Sequence, residues 1–115
     1  MTEAKATHPL DARAVAADEH ALLLENEHVR VLDARVAPGA RTPIHAHEWP
    51  GVLYVVSTSD FVRYDPQGNV LVDSRALPRR IAPGEAVWTG PLVPHYLHNI
   101  GDAELRVIAV EIKPR

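Results

Sequence analysis

Residues 38–49 read Pro38-Gly39-Ala40-Arg41-Thr42-Pro43-Ile44-His45-Ala46-His47-Glu48-Trp49, and the fold turns on how His45 and His47 are read. In an extended strand, side chains two residues apart point to the same face, so Ile44-His45-Ala46-His47 sets two imidazoles side by side on one wall. That is a chelating arrangement. Spacing alone also fits a chance pair on a strand surface, but the context favours ligands. The stretch Pro38 to Pro43 is a stiff approach to the strand, and His95 follows another, Pro91-Leu92-Val93-Pro94. In an antiparallel barrel the strand opened by His95 can return beside the first and supply a third nitrogen. Three neutral imidazoles on a rigid β scaffold hold Fe, Zn, Ni, Cu or Mn and leave positions open for water or substrate.

The rest of the chain agrees with a β reading. From Pro38 onward prolines and glycines recur at short intervals, and the segments between them alternate or run apolar over a few residues. Strands are expected at Val29 to Val36, Ile44 to Trp49, Gly51 to Ser57, Asp60 to Tyr64, Val70 to Leu77, Ala86 to Thr89, His95 to Asn99 and Glu104 to Ile112. Asp65-Pro66-Gln67-Gly68-Asn69 and Ile100-Gly101-Asp102 read as turns. Leu10 to Leu24 differs: it is rich in Ala and Leu, lacks Gly and Pro, and has Asp11 as a possible N-cap, so a short helix or ordered arm is expected there. The expected organisation is an N-terminal arm or short helix over 1–28 and one all-β antiparallel domain over 29–115.

Composition narrows the function. A chain of 115 residues that is 46% hydrophobic has room for one domain and one core. Its formal charge of −3, with the positive side chains scattered, gives no nucleic-acid footprint, and Arg79-Arg80 is too short to make one. The absence of cysteine removes disulfides, thiolate metal sites and a cysteine nucleophile together. No apolar run approaches the ~18 residues of a membrane span, so a cytoplasmic protein without a membrane partner is expected. Ser57, Ser59 and Ser74 lack a nucleophile-elbow context, and no Gly-rich loop marks a phosphate site.

The two histidine stretches resemble the cupins, jelly-roll β-barrels with a metal in the barrel. The first cupin motif runs Gly, five residues, His-x-His, three or four residues, Glu, six residues, Gly; Gly39, His45 and His47 match it in register. Its Glu falls at Gly51 or Val52 and its closing Gly at Thr58 or Ser59, so both are missing. The second runs Gly, five residues, Pro-x-Gly, two residues, His, three residues, Asn; Gly84, His95 and Asn99 match, whereas the inner Pro and Gly positions hold Gly90 and Leu92. With their flanks the motifs span about Val29 to Ile112, most of the chain.

The resemblance implies a metal held by His45, His47 and His95 without the usual carboxylate, similar to the three-histidine cupins that include thiol and diketone-cleaving dioxygenases. The expected cofactor is a divalent transition ion, Fe(II) foremost, with Zn, Ni, Mn or Cu as alternatives. A neutral ligand set leaves the full 2+ charge on the site and favours a small anionic or thiol substrate. The leading expectation is thus a non-haem Fe(II) dioxygenase, an oxidoreductase. The alternatives are a metal-assisted isomerase, lyase or hydrolase, with Tyr96, His98 or Glu48 moving the proton, and a non-catalytic small-molecule-binding barrel.

Strand alternation sets the remaining expectations. Glu48 points opposite to His47 unless a bulge at Pro50-Gly51 swings it or Trp49 toward the barrel mouth, and His98 faces away from His95 unless the strand twists. Trp49, Gly51, Leu53 and Val55 are expected to line the substrate pocket. Tyr64, Tyr96, Phe61 and Trp88 are assigned to packing, Asn99 to anchoring a turn, and His8, His20 and His28 to the surface without a role. A homodimer is expected, paired through the Val29 to Val36 and Glu104 to Ile112 segments with the N-terminal arm crossing between subunits.

Overall fold

The structure, a computed structural model, describes residues 4–115. Its strands are β1 His20–Glu25, β2 Val29–Val36, β3 His45–His47, β4 Gly51–Ser57, β5 Phe61–Tyr64, β6 Val70–Asp73, β7 Ala86–Thr89, β8 Leu92–Asn99 and β9 Leu105–Ile112. They form a five-stranded sheet in the order β1-β2-β9-β4-β7 and a four-stranded sheet in the order β3-β8-β5-β6. Every pairing between named strands is antiparallel, as expected from the turn spacing, and the two sheets form the jelly-roll barrel that the resemblance implies.

Alternation along the strands decides what faces inward. Leu53 and Val55 on β4, Val107 and Ala109 on β9, and His95 and Leu97 on β8 all line one cavity between the sheets, of about 350 Å³. The barrel is therefore hollow, and its wall is mostly apolar.

Two turns set the motif strands in place. Ala37-Pro38-Gly39-Ala40 is closed by Ala40 N donating to Ala37 O at 3.0 Å, and Ala82-Pro83-Gly84-Glu85 by Glu85 N donating to Ala82 O at 3.2 Å. Proline in second place followed by glycine at φ +78° or +87° is the type II arrangement, and left-handed backbone is why glycine opens both motifs. Asn99 closes the second motif and is fully buried. Its Nδ2 donates to Val36 O (3.0 Å) and Ala103 O (2.9 Å), and its Oδ1 accepts from Ser59 Oγ (2.8 Å) and Gly101 N (3.1 Å). The end of β2, the loop before β5 and the turn after β8 are thus tied to one side chain.

The N-terminal stretch carries the expected short helix with Asp11 as its N-cap, over fewer residues than Leu10 to Leu24. Only Ala12–Val15 is α-helical (α1), with Asp11 as N-cap accepting from Arg13 N; a 3-10 turn follows over Ala17–Glu19, and the chain then runs into β1. β1 pairs with β2 from His20↔Ala34 to Glu25↔Arg30. The hairpin between them is held by Asn26 Oδ1, which accepts from His28 N and Val29 N. Similarly, the strand expected to reach Leu77 ends at Asp73, where the Asp73 side chain caps a 3-10 turn over Ser74–Ala76.

The segments expected to pair two copies also lie elsewhere than at an edge. β2 and β9 are internal strands of the larger sheet, with all eight residues of β2 in register with β9. The edge beyond β2 is β1, where Leu22, Leu23 and Leu24 are exposed. Among the described residues no helix is long and apolar enough to cross a membrane.

Candidate metal centre

β3 and β8 pair with His45 directly opposite His95, and His47 follows on the same face as His45. The His45 and His95 rings lie 4.5 Å apart, and His47 is 5.1 Å from His45 and 5.9 Å from His95. The three histidines of the sequence motifs thus meet inside the barrel. A fourth joins them: His20, at the start of β1, has its ring 4.8 Å from His45 and 5.3 Å from His47. His20, His45 and His47 offer one ligand atom each, all within 4.8 Å of one another. Only 5% of His20 is exposed, so the expected surface position is overturned.

Local structure explains why His20 is there. Arg13, on α1, donates from Nη1 to the His20 carbonyl at 2.9 Å, and Ala46 N donates to Leu10 O at 2.7 Å, so the N-terminal segment is laced to both β1 and β3. At Gly51, one of the two positions where the motif's glutamate would fall, a Cβ would stand 2.1 Å from Val110 O, so the close approach of β9 excludes a side chain there. β1 brings a fourth imidazole to the cluster.

Each of these rings is oriented by a partner on Nδ1. His20 Nδ1 donates to Ala16 O (2.9 Å), His45 Nδ1 to Pro43 O (2.8 Å) and His95 Nδ1 to Val93 O (2.7 Å); a carbonyl only accepts, so the proton sits on Nδ1. His47 Nδ1 donates to Glu111 Oε2 at 2.8 Å. In His20, His45 and His95 the Nε2 lone pair is thereby left free, which is the state a metal requires. Burial pushes the His20 and His95 imidazoles down to about 4 and His45 to about 3, against the opposing pull of their carbonyl partners, so these rings are neutral at pH 7.

Behind His47 lies a buried charge chain. Glu111 Oε1 accepts from Arg30 Nε at 2.6 Å, and Arg30 makes a two-pronged contact with Asp11, Nη1 to Oδ2 at 3.0 Å and Nη2 to Oδ1 at 2.8 Å. Burial alone would raise the Glu111 carboxyl, but its hydrogen bonds to His47 and Arg30 hold it below the usual range; Asp11 is held down by Arg30 in the same way. An ionised carboxylate on Nδ1 makes His47 a stronger donor at Nε2. Neutral, preoriented imidazoles of this kind fit a borderline divalent transition ion rather than Mg or Ca, which take oxygen ligands.

The other residues singled out in the sequence lie at varying distances from this centre. Leu53 and Val55 line the cavity, as do Phe61 and Trp88. Trp49 and Gly51 instead line a separate crevice of about 30 Å³, and Trp49 is packed with the Arg30 guanidinium 5.2 Å and the Lys113 ammonium 5.4 Å from its ring. Glu48 Oε1 accepts from Thr7 N and His8 N and so fastens the N-terminal segment. Tyr96 stacks on Tyr64 at 4.9 Å and His98 pairs with Val62; neither lines the cavity. Two cavity-lining residues carried no signal in the sequence, Glu19 and Arg63. Among the described residues, their Glu19 Oε2 and Arg63 Nε atoms are buried without a hydrogen-bond partner.

Known proteins agree with this architecture. The cupin-domain family model matches residues 32–111. A cupin domain from Bordetella pertussis Tohama I superposes with TM-score 0.67 at 25% identity, covering 83% of this chain and 92% of that one. An RmlC-like cupin family protein with a double-stranded β-helix fold from Methanocaldococcus jannaschii gives 0.57 at 16% identity, over 81% and 77%. The polyketide cyclase RemF from Streptomyces resistomycificus gives 0.54 at 24% identity, over 84% and 65%, a likeness of fold. We find no match among curated proteins. With both histidine motifs on paired strands inside a jelly-roll barrel and the family model spanning most of the chain, the protein is a member of the cupin family.

Proposed function

We propose that the protein is a metal-dependent enzyme that binds one divalent transition ion on His20, His45 and His47, with His95 beside them, and acts on a small organic substrate in the barrel. The observation that carries this reading is that four imidazoles meet inside the barrel, His20, His45 and His95 buried and His47 half-buried, each engaged through Nδ1. Such an ion supplies Lewis acidity to a chelating substrate and, if it is iron, access to oxygen chemistry. The residues of the chain orient the donors, and the apolar wall formed by Leu53, Val55, Val107 and their neighbours excludes water. With neutral nitrogen donors and an apolar cavity, the favoured activity is a non-haem Fe(II) dioxygenase acting on an anionic or thiol substrate.

One observation favours a second reading, a metal-assisted isomerase, lyase or hydrolase. Glu19 stands in the cavity wall next to His20 with a buried, unpartnered carboxylate oxygen, placed to take or return a substrate proton. Oxygen uptake separates the two: a dioxygenase consumes oxygen with ferrous iron and small acids or thiols, whereas a Lewis-acid enzyme turns over anaerobically with Zn or Ni and loses activity in Glu19→Gln. Turnover in neither format would overturn both. We further propose that two copies pair through the exposed leucines of β1; sedimentation of Leu23→Lys as a monomer beside a dimeric wild type would support this, and a monomeric wild type would refute it.

A further inference from the structure

Arg63 sits on β5, opposite Leu97 on β8 and Val72 on β6, and alternation turns its side chain inward with that of Phe61. Most arginines with a structural role in this protein have an acidic partner: Arg30 has Asp11 and Glu111, Arg106 has Asp33, and Arg80 has Asp60. Among the described residues Arg63 has neither an ion pair nor a side-chain hydrogen bond, and its Nε is buried. A guanidinium stays charged in any protein environment, and leaving it unpaired among apolar residues is costly unless something else completes it. The groups facing it across the cavity include the neutral imidazole of His95, whose protonation Arg63 opposes. Glu19, the acidic residue in the same wall, is not within ion-pair reach of it.

We propose that Arg63 is the carboxylate-recognition residue of the cavity: it takes the acid group of a small monocarboxylate whose apolar body fills the barrel and whose far end reaches the histidine cluster. The planar fork of a guanidinium matches a carboxylate through parallel N–H donors, and a water-poor, apolar surround strengthens that contact. The inference names the substrate class for the proposed function and rests on the cavity being the substrate site, but carboxylate binding does not itself require the metal.

The test is calorimetric titration of benzoate and hexanoate, with benzamide and hexanamide as uncharged isosteres, into wild type, Arg63→Met, Arg63→Lys and the His45→Ala/His47→Ala double variant. The acids are expected to bind wild type more tightly than their amides, and Arg63→Met to weaken the acids on the order of tenfold to hundredfold while leaving the amides and the metal content unchanged. Arg63→Lys should recover part of the loss. The Arg63→Met protein should also melt no lower than wild type, because the change removes a cation whose buried Nε has no partner among the described residues; a structural arginine would behave in the opposite way. Acids bound equally by wild type and Arg63→Met, or not bound by wild type at all, would overturn the proposal. Acid preference that persists in the double-histidine variant would support the Arg63 subsite even if the metal reading fails.

Discussion

Replacing Arg30 by methionine removes the guanidinium that bridges two buried carboxylates. Asp11 and Glu111 are each almost fully buried, and Arg30 supplies two hydrogen bonds to the first and one to the second. Methionine matches the stem in size, so packing against Trp49 is largely kept and the loss is electrostatic. Breaking a buried ion pair from one side costs about 3–5 kcal/mol, because the orphaned charge must stay desolvated or take up a proton. Against a total stability of about 5–15 kcal/mol this is a large fraction, and it corresponds to a fall in Tm of roughly 10–20 °C for a domain of this size. The matched control is Arg35→Met: Arg35 is half exposed, and its partner Asp33 keeps two hydrogen bonds from Arg106. That change should cost at most about 1 kcal/mol. Urea unfolding of the metal-free proteins at pH 7 measures both. If Arg30→Met falls within about 1 kcal/mol of Arg35→Met, the chain from Asp11 to His47 is not the stabilising element described above.

Other outcomes follow from the same contacts. Glu111→Gln leaves His47 a neutral acceptor in place of a carboxylate and should weaken zinc or cobalt binding about 10–100-fold in competition with a chelator. Acid should destabilise the metal-free protein well above the carboxylate range: His20, His45 and His95 titrate at about 4, 3 and 4 when folded, below the unfolded value of about 6.5, so the unfolded chain binds protons first. Each contributes a loss of about 1.4 kcal/mol per pH unit as pH falls from about 6.5 toward 4, and urea midpoints read against pH should show that slope. Asp11 and Glu111 act lower down: their depressed folded values give stability that is present above the unfolded carboxylate pKa and disappears as pH falls through the folded one. Asn99→Ala takes away the side chain that two carbonyls, a hydroxyl and an amide now share, and should cost about 3 kcal/mol or more, visible as loss of soluble protein or of the urea transition.

Much of this was legible because β-sheet periodicity is local. Gly51–Ser57 and Ala86–Thr89 can be bounded from their own residues and the turns beside them, and His45 and His47 share a face by geometry alone. His95 is found through its spacing from Gly84 and Asn99. His20 is not, because Ala21-Leu22-Leu23-Leu24 carries no alternation: an edge strand exposed on most of its length has no buried face to print a pattern on the sequence. The available signal was Asn26-Glu27-His28 between two apolar runs, a hairpin loop whose asparagine caps the second strand. Glu111, Arg30 and Asp11 meet only through tertiary structure, the first two 81 positions apart, so no local pattern could pair them. Arg63 reads in sequence as an ordinary strand arginine; only the cavity wall and its missing partner set it apart.

The most direct test of the account is the metal content of untagged protein, measured by elemental analysis after purification and after reconstitution with iron, zinc and nickel, for wild type, His20→Ala and His45→Ala/His47→Ala. The account predicts about one equivalent of a single transition ion in wild type, with affinity reduced at least about tenfold in His20→Ala and binding abolished in the double variant. A wild type that takes up no ion, or a His20→Ala protein that binds as tightly as wild type, would contradict it.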